Sequence, residues 1–88
     1  MQLRVLYFAW LRERAGCGEE DVTAPDDVRD VRGLIEWLKA RGGGPAAALV
    51  DLAAVRIAVN QEYADLAHAL HAGDEVAFFP PVTGGGAL

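Results

Sequence analysis

Eighty-eight residues, 52 % of them apolar and 24 % charged, suffice for one globular domain with a modest core and exclude a disordered chain or a second lobe. A net charge of −5, with Lys39 as the sole lysine, leaves no basic footprint for DNA or RNA. One cysteine, Cys17, excludes an internal disulfide and a multi-thiolate metal site.

No apolar run approaches the length of a membrane span, and Met1-Gln2-Leu3-Arg4 is no secretory leader. A soluble, cytoplasmic protein is therefore expected. Its acidity should steer it toward basic surfaces on a protein partner.

In chain order, Gln2 to Phe8 alternates and reads as a strand, with Leu3, Val5 and Tyr7 on one face and Leu6 and Phe8 on the other. Ala9 to Ala15 carries helix formers, with Gly16 as its C-cap. Glu20 to Ala24 predicts a short strand closed by Pro25-Asp26-Asp27. Asp30 is a candidate N-cap for the clearest helix, in which Val31, Leu34, Ile35 and Leu38 recur at helical spacing. Gly33 in its first turn is unfavourable by about 1 kcal/mol relative to alanine. Gly42-Gly43-Gly44-Pro45 is expected to stop this helix, and Ala46 to Leu52 to form a short third one.

Val55, Ile57 and Val59 alternate as a strand. Asn60-Gln61-Glu62 supplies a turn, and Tyr63-Ala64 begins a return. Leu66 to His71 reads as irregular or briefly helical, and Gly73-Asp74 punctuates it. Glu75 to Phe79 is the last strand, and Pro80-Pro81 stops it because proline donates nothing to a ladder. The sum is an α+β domain over residues 1–79, a sheet with helices packed on one face, followed by a flexible glycine tail over residues 80–88. The strand order does not follow from this pattern.

The tail is the unusual segment. In isolation it reads as a frayed terminus. Yet two prolines fix a rigid exit, and Gly84-Gly85-Gly86 presents bare backbone that another protein can approach closely. From Pro80 to Gly85 it reaches roughly 20 Å if extended. A terminal glycine carbonyl is also open to attack, with no side chain in the way.

Asp74-Glu75-Val76-Ala77-Phe78-Phe79-Pro80-Pro81-Val82-Thr83-Gly84-Gly85 resembles the end of the small, sulfur-carrying subunits of molybdopterin synthase. Val5-Leu6-Tyr7-Phe8-Ala9 with Arg12-Glu13 resembles that family's opening, and Val59-Asn60-Gln61 its middle hairpin. The matches keep their order over nearly the whole chain. A Gly-Gly ending alone is a weak signal, and the preceding Phe-Phe-Pro-Pro-Val-Thr makes it specific.

The resemblance implies a ubiquitin-like β-grasp fold with a mixed sheet. It implies that the C-terminal glycine is adenylated by an E1-like adenylating enzyme and converted, with sulfur delivered by a sulfurtransferase, to a thiocarboxylate. No cofactor is held permanently; AMP and sulfur are transient adducts of that glycine. Pro80, Pro81, Val82, Thr83 and Gly84 would enter the active site of the large subunit, where the sulfur passes to cyclic pyranopterin monophosphate in molybdenum cofactor biosynthesis. The chain is then a consumed sulfur donor, without catalytic groups of its own, in a heterotetramer of two copies on a dimer of large subunits.

Members of the family generally end at the paired glycine, whereas Gly86-Ala87-Leu88 follow here. Trimming to Gly85 is expected, with Gly86 as the less favoured end.

The resemblance also places Phe8, Tyr63 and Phe79 in an apolar docking patch. Alternation agrees that Phe79 opposes Phe78 and Phe8 opposes Tyr7, so one of each pair leaves the main core. Arg12 reads as a solvated helix residue or as a further partner contact. His68 and His71 lack a third ligand nearby, so no metal is expected. Trp10 and Trp37 read as packing residues, and Glu19-Glu20-Asp21 and Asp26-Asp27 as solvated surface. Three competing functions share this sequence: a sulfur carrier for thiamine or cysteine biosynthesis, a ubiquitin-like modifier of lysines, and an interaction domain with an inert tail.

Overall fold

The computed structural model describes residues 1–81. Five strands form one mixed sheet in the order β2-β1-β5-β3-β4. They are β1 (Gln2–Tyr7), β2 (Glu19–Thr23), β3 (Arg56–Val59), β4 (Glu62–Tyr63) and β5 (Glu75–Phe79). Three helices join them: α1 (Trp10–Ala15), α2 (Val31–Arg41) and α3 (Gly43–Ala48). The first and last strands pair in parallel at the sheet's centre, with Val5 opposite Val76 and Tyr7 opposite Phe78. All other pairings are antiparallel. This is the β-grasp arrangement expected above.

The core lies between one face of the sheet and the helices. Leu3, Val5 and Tyr7 of β1 and Val76 and Phe78 of β5 meet Leu34, Ile35 and Leu38 of α2, all buried. Tyr7 and Phe78 stack with ring centroids 5.9 Å apart. The strands alternate because only one face is covered, so every second side chain enters the core.

Local sequence explains the helix ends. Gly16 takes a left-handed conformation (φ 81°, ψ 5°) and closes α1 through its N–H to the Arg12 carbonyl. Asp30 Oδ1 accepts from the Gly33 N–H at 2.8 Å and caps α2. A Cβ at Gly33 would stand 3.2 Å from that same oxygen, so the glycine leaves the cap unobstructed. The helix propensity it sacrifices is offset by this geometry.

The third helix differs from the expectation. It begins at Gly43, not Ala46, and ends at Ala48; Leu52–Ala54 is a separate 3-10 turn. Gly42 and Gly43 together break the helical path, at φ 81° and 79°. Pro45 is tolerated because it falls in the first turn of α3, where an N–H has no helical acceptor. Gly44 is there for contact: a Cβ at this position would run into the Ala15 backbone at the end of α1, so there is no room for a side chain. The segment 66–71 has no helix and is held by backbone bonds, with Val31 and Arg32 N–H donating to the His68 and Leu66 carbonyls at 3.1 and 2.9 Å.

Candidate functional site

The uncovered face of the sheet carries the candidate site. Alternation along β5 puts Glu75, Ala77 and Phe79 on it, opposite to Val76 and Phe78. Register brings Leu6 of β1 and Ala58 of β3 alongside Ala77. Two alanines side by side leave a shallow trough between bulkier walls. Leu6, Phe8 and Phe79 are its bulky walls, with Glu75 and Gln61 completing the lining. Tyr63, paired with Ala58, leans on Phe79 with ring centroids 5.8 Å apart.

Phe8 and Tyr63 are 49 % and 76 % exposed, which is unusual for aromatic rings on a small domain. Phe8 is set by its backbone. Its N–H still donates to the Phe78 carbonyl at 3.0 Å, extending the sheet, and then Ala9 turns the chain at φ 55°. A non-glycine residue there is strained, and it is the alternation continued from β1 that turns Phe8 outward before α1 begins.

The hairpin after β3 is a two-residue turn with positive φ at both Asn60 (51°) and Gln61 (71°), as a type I′ turn requires. Asn60 locks it to β5: its Nδ2 donates to Asp74 Oδ1 and its Oδ1 accepts from the Glu75 N–H, both at 3.0 Å. Burial alone would raise the Asp74 carboxyl, but the bonds from Asn60 and the His71 N–H outweigh it and hold the group below its ordinary value.

Phe8, Tyr63 and Phe79 thus share one face, whereas Arg12 does not join them. It lines a separate groove with Cys17 and Gly18, its guanidinium lying flat over the glycine. Burial first, and the Glu20 charge second, push the Cys17 thiol upward, which keeps it protonated and a poor nucleophile at neutral pH. Behind this groove the Tyr7 hydroxyl donates to Glu20 Oε2 at 2.9 Å, and Arg41 grips both Glu20 oxygens at 3.0 and 2.9 Å. Burial and that bond drive the Tyr7 phenol well above its usual range.

Among the described residues no three His, Cys, Asp or Glu side chains gather around a possible ion. Nor is any described helix long and apolar enough to cross a membrane. Pro80 and Pro81 follow β5 directly and are half-buried. The expected chemical positions Gly85 and Gly86, and the tail residues Val82, Thr83 and Gly84, lie outside the described residues.

Ala58, Ala77 and Glu75 were not singled out from the sequence. The period of two along β5 was the available signal, since it places positions 75, 77 and 79 on one face.

The ThiS family model matches residues 5–85. The chain is 43 % identical over 83 residues to the molybdopterin synthase sulfur carrier subunit of Escherichia coli (strain K12), covering 94 % of this chain and 99 % of that one. Identity to the human subunit of the same name is 34 % over 88 residues, covering 96 % and 94 %. Among solved structures, a Pyrococcus furiosus protein assigned as molybdopterin converting factor subunit 1 superposes with a TM-score of 0.75 at 36 % identity, covering 93 % and 99 %. Small archaeal modifier protein 1 of Haloferax volcanii gives 0.67 at 32 %, covering 96 % and 99 %. A chain from the complex of subunits 1 and 2 of the Helicobacter pylori 26695 molybdopterin-converting factor gives 0.66 at 26 %, covering 96 % and 99 %. The chain therefore belongs to the ThiS family and, within it, to the sulfur carrier subunits of molybdopterin synthase.

Proposed function

We propose that this chain docks its uncovered sheet face on the large subunit of molybdopterin synthase and feeds its glycine tail into that subunit's active site. The supporting observation is the position of the aromatic trough. Phe79 is both a wall of the trough and the last residue of β5, so a partner seated there meets Pro80-Pro81 at once. The H. pylori relative occurs in a complex of subunits 1 and 2, which supports a partner of the same kind here.

In this reading Gly85, exposed by removal of residues 86–88, carries the chemistry, with Gly86 the less favoured terminus. An E1-like enzyme adenylates the glycine carboxylate with ATP, releasing pyrophosphate; the outer sulfur of a sulfurtransferase persulfide then displaces AMP, and a thiol reductant cleaves the resulting acyl disulfide to free the thiocarboxylate. The tail, Pro80 to Gly84, delivers that sulfur to cyclic pyranopterin monophosphate. Phe8, Tyr63 and Phe79 hold the partner, and Arg12 contacts it from the neighbouring groove. Two copies sit on a dimer of large subunits, in the cytoplasm.

The test is complementation of molybdenum cofactor synthesis in cells lacking their own small subunit. Deleting residues 84–88 should abolish it, and full activity of the deletion would refute the carrier reading. Phe79→Ser should weaken binding to the large subunit by more than about tenfold. Its melting temperature should fall little, because Phe79 is only half-buried. The likeness to the archaeal modifier favours one second reading, conjugation to lysines through the same tail. Covalent adducts on cellular proteins would establish it.

A further inference from the structure

We infer that the trough receives a long cationic side chain, a lysine or arginine, from the large subunit, and that Glu75 is the residue that selects it. The inference rests on the docking reading above and deepens it.

Glu75 closes one end of the trough, in line with Ala77 and Phe79 on β5. Its main chain is fixed on both sides of the peptide by Asn60: the N–H donates to Asn60 Oδ1 at 3.0 Å, and the carbonyl accepts from the Asn60 N–H at 2.8 Å. The residue is half-buried, and among the described residues its carboxylate has neither a hydrogen bond nor an ion pair. The basic residue beside it in register, Arg4, directs its guanidinium to Asp21 at 3.4 Å instead.

A carboxylate left without a partner at the mouth of an apolar groove raises the negative potential there. The floor of that groove is made of alanines, with space for methylenes but no polar group to satisfy. A lysine or arginine matches both features, laying its aliphatic stem on Ala58 and Ala77 while its head reaches Glu75. A neutral aliphatic side chain would fill the trough and leave the carboxylate buried and unpaired, which penalises the wrong partner. The net charge of −5 agrees with a basic counter-surface.

The experiment measures binding of the wild-type chain, Glu75→Gln, Glu75→Lys and Phe79→Ser to the purified large subunit at low and high salt. Melting of each free variant is followed in parallel. Glu75→Gln should bind about tenfold more weakly than wild type and lose much of the salt dependence, and Glu75→Lys should bind weaker still. Their melting temperatures should stay near wild type, since the carboxylate makes no internal bond. If Phe79→Ser weakens binding while Glu75→Gln binds like wild type with the same salt dependence, docking stands and the cation is overturned. If the wild-type chain does not bind the large subunit, the docking reading and this inference both fall. Loss through Glu75→Gln with no effect of Phe79→Ser would place the acid outside the trough contact and also overturn it.

Discussion

Replacing Gly44 with alanine is a change that helix propensity alone would favour. Gly44 lies in α3 with no positive φ, so propensity gives alanine an advantage of about 1 kcal/mol. The contact with α1 reverses the sign. The new methyl would stand 3.0 Å from the Ala15 Cα, 2.5 Å from its carbonyl carbon and closer still to the carbonyl oxygen. Carbon atoms pack at roughly 3.5–4.0 Å, so the two helices must part by about 1 Å. Neither yields cheaply, because Leu11 and Ala15 of α1 and Ala48 of α3 are buried in the common core. Overpacking of this kind costs about 3 kcal/mol, at the upper end because the obstacle is backbone, leaving a net loss of about 2 kcal/mol after the propensity gain. For a domain of this length that lowers the melting temperature by roughly 8–16 °C. Thermal and urea unfolding followed by circular dichroism will measure it. Exposed Ala47→Gly on the same helix calibrates the propensity term and should lose only about 1 kcal/mol. A Gly44→Ala protein that melts at or above wild type would refute the close-approach argument.

Three further outcomes follow from the geometry. Tyr7→Phe should lose about 1 kcal/mol near neutrality by removing the bond to Glu20. Folding raises the Tyr7 phenol pKa, so its stabilising contribution is complete below the unfolded value of about 10 and is lost as pH rises beyond it. The phenylalanine variant should lack that alkaline decline in urea titrations, and an unchanged decline would assign it elsewhere. Asn60→Gly keeps the left-handed turn but loses both bonds to Asp74 and Glu75, so it should cost about 1 kcal/mol, and Asn60→Ala about 1 kcal/mol more. Because Asp74 is held below its ordinary value, its contribution is present above pH ~4 and lost as pH falls through the folded value; either Asn60 variant should flatten that acid limb. Ala9→Gly should relieve the strain at φ 55° and raise the melting temperature by roughly 4–8 °C, for a net gain of about 1 kcal/mol.

The sequence spoke most clearly where a covered face imposes a period. Alternation identified β1 and β3, Pro80-Pro81 marked the end of β5, and helical spacing with Asp30 and Gly16 bounded α2 and the end of α1. The same alternation separated Phe8 from Tyr7 and Phe79 from Phe78, so the exposed aromatic face was legible. Other features depend on contacts between distant segments. Gly44 looks like a helix breaker, and only its neighbour Ala15 explains why a glycine sits inside a helix. Nothing in an alanine or a glutamine signals a left-handed backbone, so Ala9 and Gln61 gave no warning, whereas Asn60 is a residue type that tolerates it. Arg12 is close in sequence to Phe8, yet the turn at Ala9 sends it to another groove. The isolation of Glu75 is visible only once Arg4 is seen to bond across to Asp21. Strand order was silent because β1 and β5 carry similar alternating patterns, and their parallel pairing spans almost the whole chain.

That central pairing also determines how the molecule bears load. The tail emerges from β5, which is bonded along one edge to β1 and along the other to β3. A pull on the tail acts along the strand, and the hydrogen bonds on both edges resist in shear together rather than opening one at a time. A force drawing the glycines into a partner's cleft, or an unfolding machine gripping the C-terminus, therefore meets the domain in its stiffest direction. The same force applied at β4, a two-residue strand on the sheet's margin, would peel it away bond by bond.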